Sequence, residues 1–190
     1  ELVIANRNGR AIRFNEDAVR TMGRVSTGVR GIRLDEDSED QAVGMVCIND
    51  PEKETIMVVS DQGFGKRSAI EDYRKTNRGG KGVKTLQLTD KTGKVAAIKS
   101  VTDDNDLMII NRSGITLRLK VADVRVMGRA TQGVKLINLT KRNDSISSVC
   151  VVTTEDEDAE ALDASTEAVD EPTTSDAPET TIETNEQIDN

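Results

Sequence analysis

Apolar and polar residues alternate with a period of two through the first 152 residues, in short runs broken by glycine. Leu2-Val3-Ile4-Ala5 is a β-prone run, and the Asn8-Gly9 pair that follows is a strong hairpin signal. Ala11-Ile12-Arg13-Phe14 alternates as the returning strand. Asn15-Glu16-Asp17 suits a brief helical turn capped by Asn15, and Met22 to Gly28 reads as a loop. Val29-Arg30-Gly31-Ile32-Arg33-Leu34 alternates again and predicts a third strand. Ala42 to Ile48, beyond the acidic turn Asp35 to Asp40, supplies a fourth. The plan then recurs. Ile56–Val59, Lys66–Ile70, Val83–Leu88 and Val95–Val101 are the predicted strands of a second unit. Leu107–Ile110, Thr116–Val121, Val134–Leu139 and Ile146–Val152 are those of a third.

The recurrence is in register. Gly9, Gly63 and Gly114 are spaced by 54 and 51 positions, and so are Gly28, Gly82 and Gly133. On that register Arg13, Arg67 and Arg118 coincide, as do Arg20, Arg74 and Arg125, and Arg24, Arg78 and Arg129. Arg30, Lys84 and Lys135 fall six positions after this last set. A repeat of roughly 50 residues signals propellers or arrays. The expected fold is therefore all-β, a propeller-like array of four-stranded blades in three repeats (about 1–50, 54–103 and 105–152). A unit of this kind cannot cover its own apolar face, and three blades make only a partial ring. The array is expected to be an open arc or a fragment of a larger domain.

Charge divides the chain. Of its 34 Asp+Glu, 14 lie between Glu155 and Asn190, where there is no Lys or Arg, leaving 20 in the body against all 26 Lys+Arg. A basic body thus carries an acidic appendage, and the composition of residues 153–190 predicts a disordered tail. No apolar run approaches the roughly 18 residues of a membrane span, so no membrane partner is expected. No signal peptide is evident, and Glu1 is not a natural start, so the true N-terminus is expected upstream. With no His, imidazole metal sites and Ser-His or Cys-His catalysis are excluded, and no catalytic residue or metal ligand is expected. Cys47 and Cys150, on separate repeats, are expected to be buried and reduced.

The densest glycine and cation cluster is Asn77-Arg78-Gly79-Gly80-Lys81-Gly82. Glycines admit close approach to the backbone, and the two cations add donors suited to phosphate oxygens. The competing reading of such a loop is a tight turn with solvated cations.

Ala18 to Leu34 (Ala-Val-Arg-Thr-Met-Gly-Arg-Val-Ser-Thr-Gly-Val-Arg-Gly-Ile-Arg-Leu) resembles a late blade in the C-terminal domain of DNA gyrase A. Gly63-Phe-Gly-Lys-Arg-Ser68 and Val126-Met-Gly-Arg-Ala-Thr-Gln-Gly-Val134 are similar to the two blades that follow. The last five positions of the family's signature box, Gln-Arg-Arg-Gly-Gly-Lys-Gly, match Arg78 to Gly82. The first two do not, being Thr76 and Asn77 here, so this is a box-like loop in a late blade. The resemblance implies a β-pinwheel of six blades in which neighbours exchange a strand and duplex DNA wraps a basic rim. It also implies a parent type IIA topoisomerase in bacterial cytoplasm, associated with the nucleoid, that introduces negative supercoils. That parent pairs with gyrase B as an A2B2 heterotetramer. ATP, Mg2+ and the cleaving tyrosine belong to other domains, so this stretch alone is expected to be no enzyme and to hold no cofactor.

On that resemblance the DNA-binding residues are Arg20, Arg24, Arg30, Arg74, Arg78, Lys81, Lys84, Arg125, Arg129 and Lys135, with the box-like loop Asn77, Arg78, Gly79, Gly80, Lys81 and Gly82. Arg13, Arg67 and Arg118, inside strands, suit structural pairing equally well. Aromatics are 2% of the chain, too few to stack single-stranded bases, so backbone-dominated duplex binding is the expectation. The lone Tyr73 occupies the register position of Val19 and Val124, which makes it a core residue rather than a nucleophile. Gly63 to Ser68 lacks phosphate-loop spacing and reads as a hairpin turn. Two other readings remain open: the equivalent domain of topoisomerase IV, and a protein-interaction propeller. The tail either competes with DNA for the basic rim or merely solubilises the chain.

Overall fold

The computed structural model describes residues 1–36, 39–139 and 144–153. The predicted disordered tail therefore lies outside the described residues, apart from Thr153. Among the described residues, eleven strands run in chain order: β1 (Leu2–Asn6), β2 (Arg10–Phe14), β3 (Ala42–Cys47), β4 (Thr55–Ser60), β5 (Phe64–Ala69), β6 (Val83–Lys84), β7 (Val95–Val101), β8 (Asp106–Asn111), β9 (Thr116–Lys120), β10 (Val134–Lys135) and β11 (Ile146–Val152). Each repeat opens with a hairpin turning at Gly9, Gly63 or Gly114, whose φ of +79°, +83° and +84° admits glycine readily and other residues poorly. Short 3-10 turns follow the second strand of each repeat at Glu16–Ala18, Ile70–Asp72 and Val121–Asp123. Asn15 caps the first as expected, its side chain accepting from the Asp17 N–H at 2.8 Å.

The strands form antiparallel sheets in the orders β3-β1-β2-β6, β10-β5-β4-β7 and β11-β8-β9. Sheet and repeat are therefore not the same unit. β6 belongs to the second repeat but pairs with β2 of the first, Arg10 opposite Lys84 and Ala11 opposite Val83. β10 belongs to the third repeat and pairs with β5 of the second, Val134 opposite Gly65. The exchange corrects two expectations. Val83–Leu88 and Val134–Leu139 do not form full strands within their own blades; only two residues of each pair, and they join the blade before. Val29–Leu34, the counterpart of these segments in the first repeat, forms no strand. The third sheet correspondingly has three described strands rather than four.

Alternation explains where the core sits. β4 is buried from Ile56 to Ser60, since both faces of the middle sheet are covered. Ile56 and Val58 point into a cluster with Val3, Ala5, Val46 and Tyr73 of the first two repeats. Met57 and Val59 point the other way, into a cluster with Leu107, Ile109, Val124 and Val149 of the third. A third, smaller cluster joins Ile12 and Phe14 to Ile32, so the segment that finds no sheet still packs its apolar side on the first. The same alternation corrects the cysteines. Cys47 and Cys150 are free, as expected, but exposed. Their neighbours Val46, Ile48 and Val149 take the buried side.

Candidate nucleic-acid interface

Two columns of cations lie at matching places in all three repeats. Arg20, Arg74 and Arg125 follow the 3-10 turns, and all three are exposed. Arg30, Lys84 and Lys135 follow Val29, Val83 and Val134 and are likewise exposed. Lys84 and Lys135 sit on the exchanged strands β6 and β10, so each is carried on the sheet of the preceding repeat. Lys84 Nζ donates to Gln87 Oε1 at 2.9 Å, and Lys135 Nζ stands 5.6 Å from the centroid of the Phe64 ring.

The third column, Arg24, Arg78 and Arg129, divides. Arg24 is exposed. Arg78 is half-buried: its Nε donates to the Ala18 carbonyl at 2.8 Å and its Nη1 to the Arg30 carbonyl at 3.1 Å. Arg129 repeats this one blade on, donating to the Asp72 carbonyl at 2.9 Å and the Lys84 carbonyl at 2.8 Å.

The box-like loop docks on the first repeat, backbone to backbone. The Gly79 N–H donates to the Gly31 carbonyl at 2.6 Å, and the Gly80 carbonyl accepts from the Arg33 N–H at 2.9 Å. Gly82 has φ +70°, and a Cβ there would meet the Ala11 carbonyl oxygen at 2.4 Å, so the site requires glycine. Lys81 is exposed and lies 3.9 Å from Asp35. With Arg74, Asn77 and Gly80 it lines a cavity of about 190 Å³ over β2.

The strand arginines pair structurally. Arg13 donates to the Ile70 and Tyr73 carbonyls at 2.9 and 3.1 Å and forms an ion pair with Glu1. Burial raises the Glu1 carboxyl, but hydrogen bonds from Lys75 and Arg13 outweigh it and leave it below the usual carboxylate range. Arg67 repeats the contact one blade on, donating to the Val124 carbonyl at 2.6 Å and pairing with Asp103. Arg118, in the last repeat, pairs with Asp106 on its own sheet at 2.7 Å.

Tyr73 is fully buried, with its hydroxyl 2.6 Å from Thr85 Oγ1. Lys66 was not singled out from the sequence, yet it is fully buried, its Nζ donating to the Gly128 carbonyl at 2.7 Å. Desolvation, opposed by Asp72 and reinforced by Arg129, brings its pKa down to about 8. The signal was present: the same register position holds Ile12 and Leu117. Among the described residues, no group of three or more His, Cys, Asp or Glu is placed to hold a metal ion.

A repeated all-β array with strand exchange between neighbouring repeats defines the class: a β-propeller-like array. The family model for the DNA gyrase C-terminal domain, β-propeller, matches residues 1–49, 54–102 and 105–153, and the chain belongs to that family. It is 41% identical over 159 residues to the DNA gyrase A protein of Chlamydia pneumoniae, covering 84% of this chain and 19% of that protein. The chain thus spans about a fifth of the length of such relatives. A solved DNA gyrase A C-terminal domain superposes with TM-score 0.71 at 26% identity, covering 79% of this chain and 50% of that one. The C-terminal domain of a DNA topoisomerase IV shares the fold, with TM-score 0.76 at 24% identity over 86% of this chain and 51% of that one. Among the described residues, no helix is long and apolar enough to cross a membrane.

Proposed function

We propose that this chain binds and wraps duplex DNA as part of a gyrase whose other domains cut, pass and reseal strands. The observation that carries this reading is the pair of cationic columns, Arg20/Arg74/Arg125 and Arg30/Lys84/Lys135, each exposed in all three repeats. Phosphates recur evenly along a duplex, and the repeat supplies one exposed cation of each column per unit to meet them. Bending a short duplex segment costs on the order of 1–6 kcal/mol, which several phosphate contacts together offset. In the parent enzyme the wrap gives strand passage a direction, toward negative supercoils. ATP and Mg2+ act at sites outside this chain, in partnership with gyrase B, and the assembly is a bacterial cytoplasmic one.

Salt titration of duplex binding is the direct test. If the six column cations and the exposed Arg24 each neutralise a phosphate, log K falls with log salt at a slope of about −6, at 0.9 per phosphate. Single strands of the same length bind more weakly, because aromatic platforms are lacking. A flat salt dependence, or a preference for single strands, contradicts the reading.

A further inference from the structure

We infer that Arg78 and Arg129 are positioning residues that clamp one blade to the next and aim the cationic columns, and that they are not themselves phosphate ligands. The inference rests on the DNA-wrapping reading and assigns a role within it. Each guanidinium spends two of its three nitrogens on main-chain carbonyls of the preceding repeats: Arg78 on Ala18 and Arg30, Arg129 on Asp72 and Lys84. These acceptors correspond in register, Ala18 to Asp72 and Arg30 to Lys84, so the contact is a repeated device. A planar fork holding two fixed oxygens is rigid in a way that a lysine ammonium cannot reproduce.

The acceptors themselves decide what the clamp does. Ala18 and Asp72 close the 3-10 turns that precede Arg20 and Arg74, while Arg30 and Lys84 carry the other exposed column. One guanidinium therefore ties together the backbones of both columns within a blade and fixes them to the loop of the next. Lys84 is moreover paired with Arg10 of the first sheet, so Arg129 in the third repeat holds a strand lying on the first. The glycines around Arg78 serve the same joint. Gly79 and Gly80 exchange main-chain hydrogen bonds with Gly31 and Arg33, which brings backbone against backbone. Arg24 occupies the same register with an exposed side chain and no clamp partner among the described residues.

Three variants of the full chain, Arg129→Gln, Arg129→Lys and Arg24→Gln, separate clamp from ligand. The two measurements are the salt slope for duplex binding and the linking-number change fixed in relaxed closed-circular plasmid. A clamp predicts that both Arg129 variants keep the wild-type slope while losing linking-number change alike, since retained charge does not restore the fork. Arg24→Gln, by contrast, lowers the slope by about 0.9. The inference is overturned if Arg129→Gln lowers the slope by that amount and Arg129→Lys restores it. A readout without DNA judges the clamp alone. Amide exchange at Gln87, which donates to the Thr131 carbonyl across the joint at 3.0 Å, should quicken on the order of tenfold in Arg129→Gln. Arg78→Gln should do the same at Arg33, and serves should Arg129→Gln not fold. Unchanged exchange in both overturns the clamp. A flat wild-type salt dependence overturns the DNA reading instead and leaves the exchange result standing.

Discussion

Lys66 carries a charge into a space its register partners fill with Ile12 and Leu117, and the structure gives it one acceptor, the Gly128 carbonyl. Its pKa of about 8 against an ordinary 10.5 means that folding disfavours the protonated form by on the order of 3 kcal/mol. The sign follows from proton counting. Between pH 8 and 10.5 the unfolded chain keeps the lysine proton that the folded chain has released, so stability rises with pH across that window. Tyr73, raised above its ordinary 10.0 chiefly by burial, acts in the opposite direction at the upper end. Chemical denaturation from pH 7 to 10 should therefore show a stability increase in the wild type that Lys66→Met flattens. The same slope in both proteins would mean that the lysine is hydrated. What Lys66 offers function is local: with Ser68, which donates to the Met127 carbonyl at 2.9 Å, it seats the loop from which Arg129 reaches back.

The exchanged strand is the element on which the array depends, and it needs glycine at its entry. Gly133 has φ +83°, and a Cβ there would meet the Gly65 carbonyl oxygen at 2.7 Å, where β10 joins the second sheet. Gly28, its register partner, has φ +82° but nothing within 4 Å. Alanine at Gly28 then carries only the left-handed strain of about 1–2 kcal/mol, whereas alanine at Gly133 must also displace backbone. Thermal unfolding should rank Gly133→Ala well below Gly28→Ala; equal losses would show that the close approach does not matter. This contrast also marks how far the sequence could be read. Period-two alternation located the hairpins and every inner strand, and the glycine spacing located the turns. The partner of Val83–Lys84 was not legible from local pattern, because alternation is the same whichever sheet a strand joins. Only the family resemblance carried the expectation of exchange. The cationic columns were legible for the same reason as the repeat. That Arg78 and Arg129 turn onto carbonyls was not, since a guanidinium can donate to either a carbonyl or a phosphate and the residue type does not say which is in reach.

At the scale of the molecule, charge opposes charge within one chain. The body holds all 26 Lys+Arg, while 14 of the 34 Asp+Glu fall in the last stretch from Glu155. If the tail competes with DNA for the basic rim, tethering gives it an effective concentration that reaches about millimolar for a short flexible link. Removing the residues after Thr154 should therefore tighten duplex binding at low salt, with the gain fading as salt rises. Equal affinities with and without the tail would assign it to solubility alone. The central claim, that stacked blades offer a curved positive track, is tested most directly on topology. The chain is bound to relaxed closed-circular plasmid, the unconstrained DNA is relaxed again with a topoisomerase, the protein is removed, and the linking number is read on a gel. A track predicts a linking-number change of one sign that grows with bound chain until the sites are filled, and that shrinks when Arg30, Lys84 and Lys135 are replaced together by Gln. Tight binding with no linking-number change would show that the cations hold DNA without bending it around the blades, and the account would be wrong.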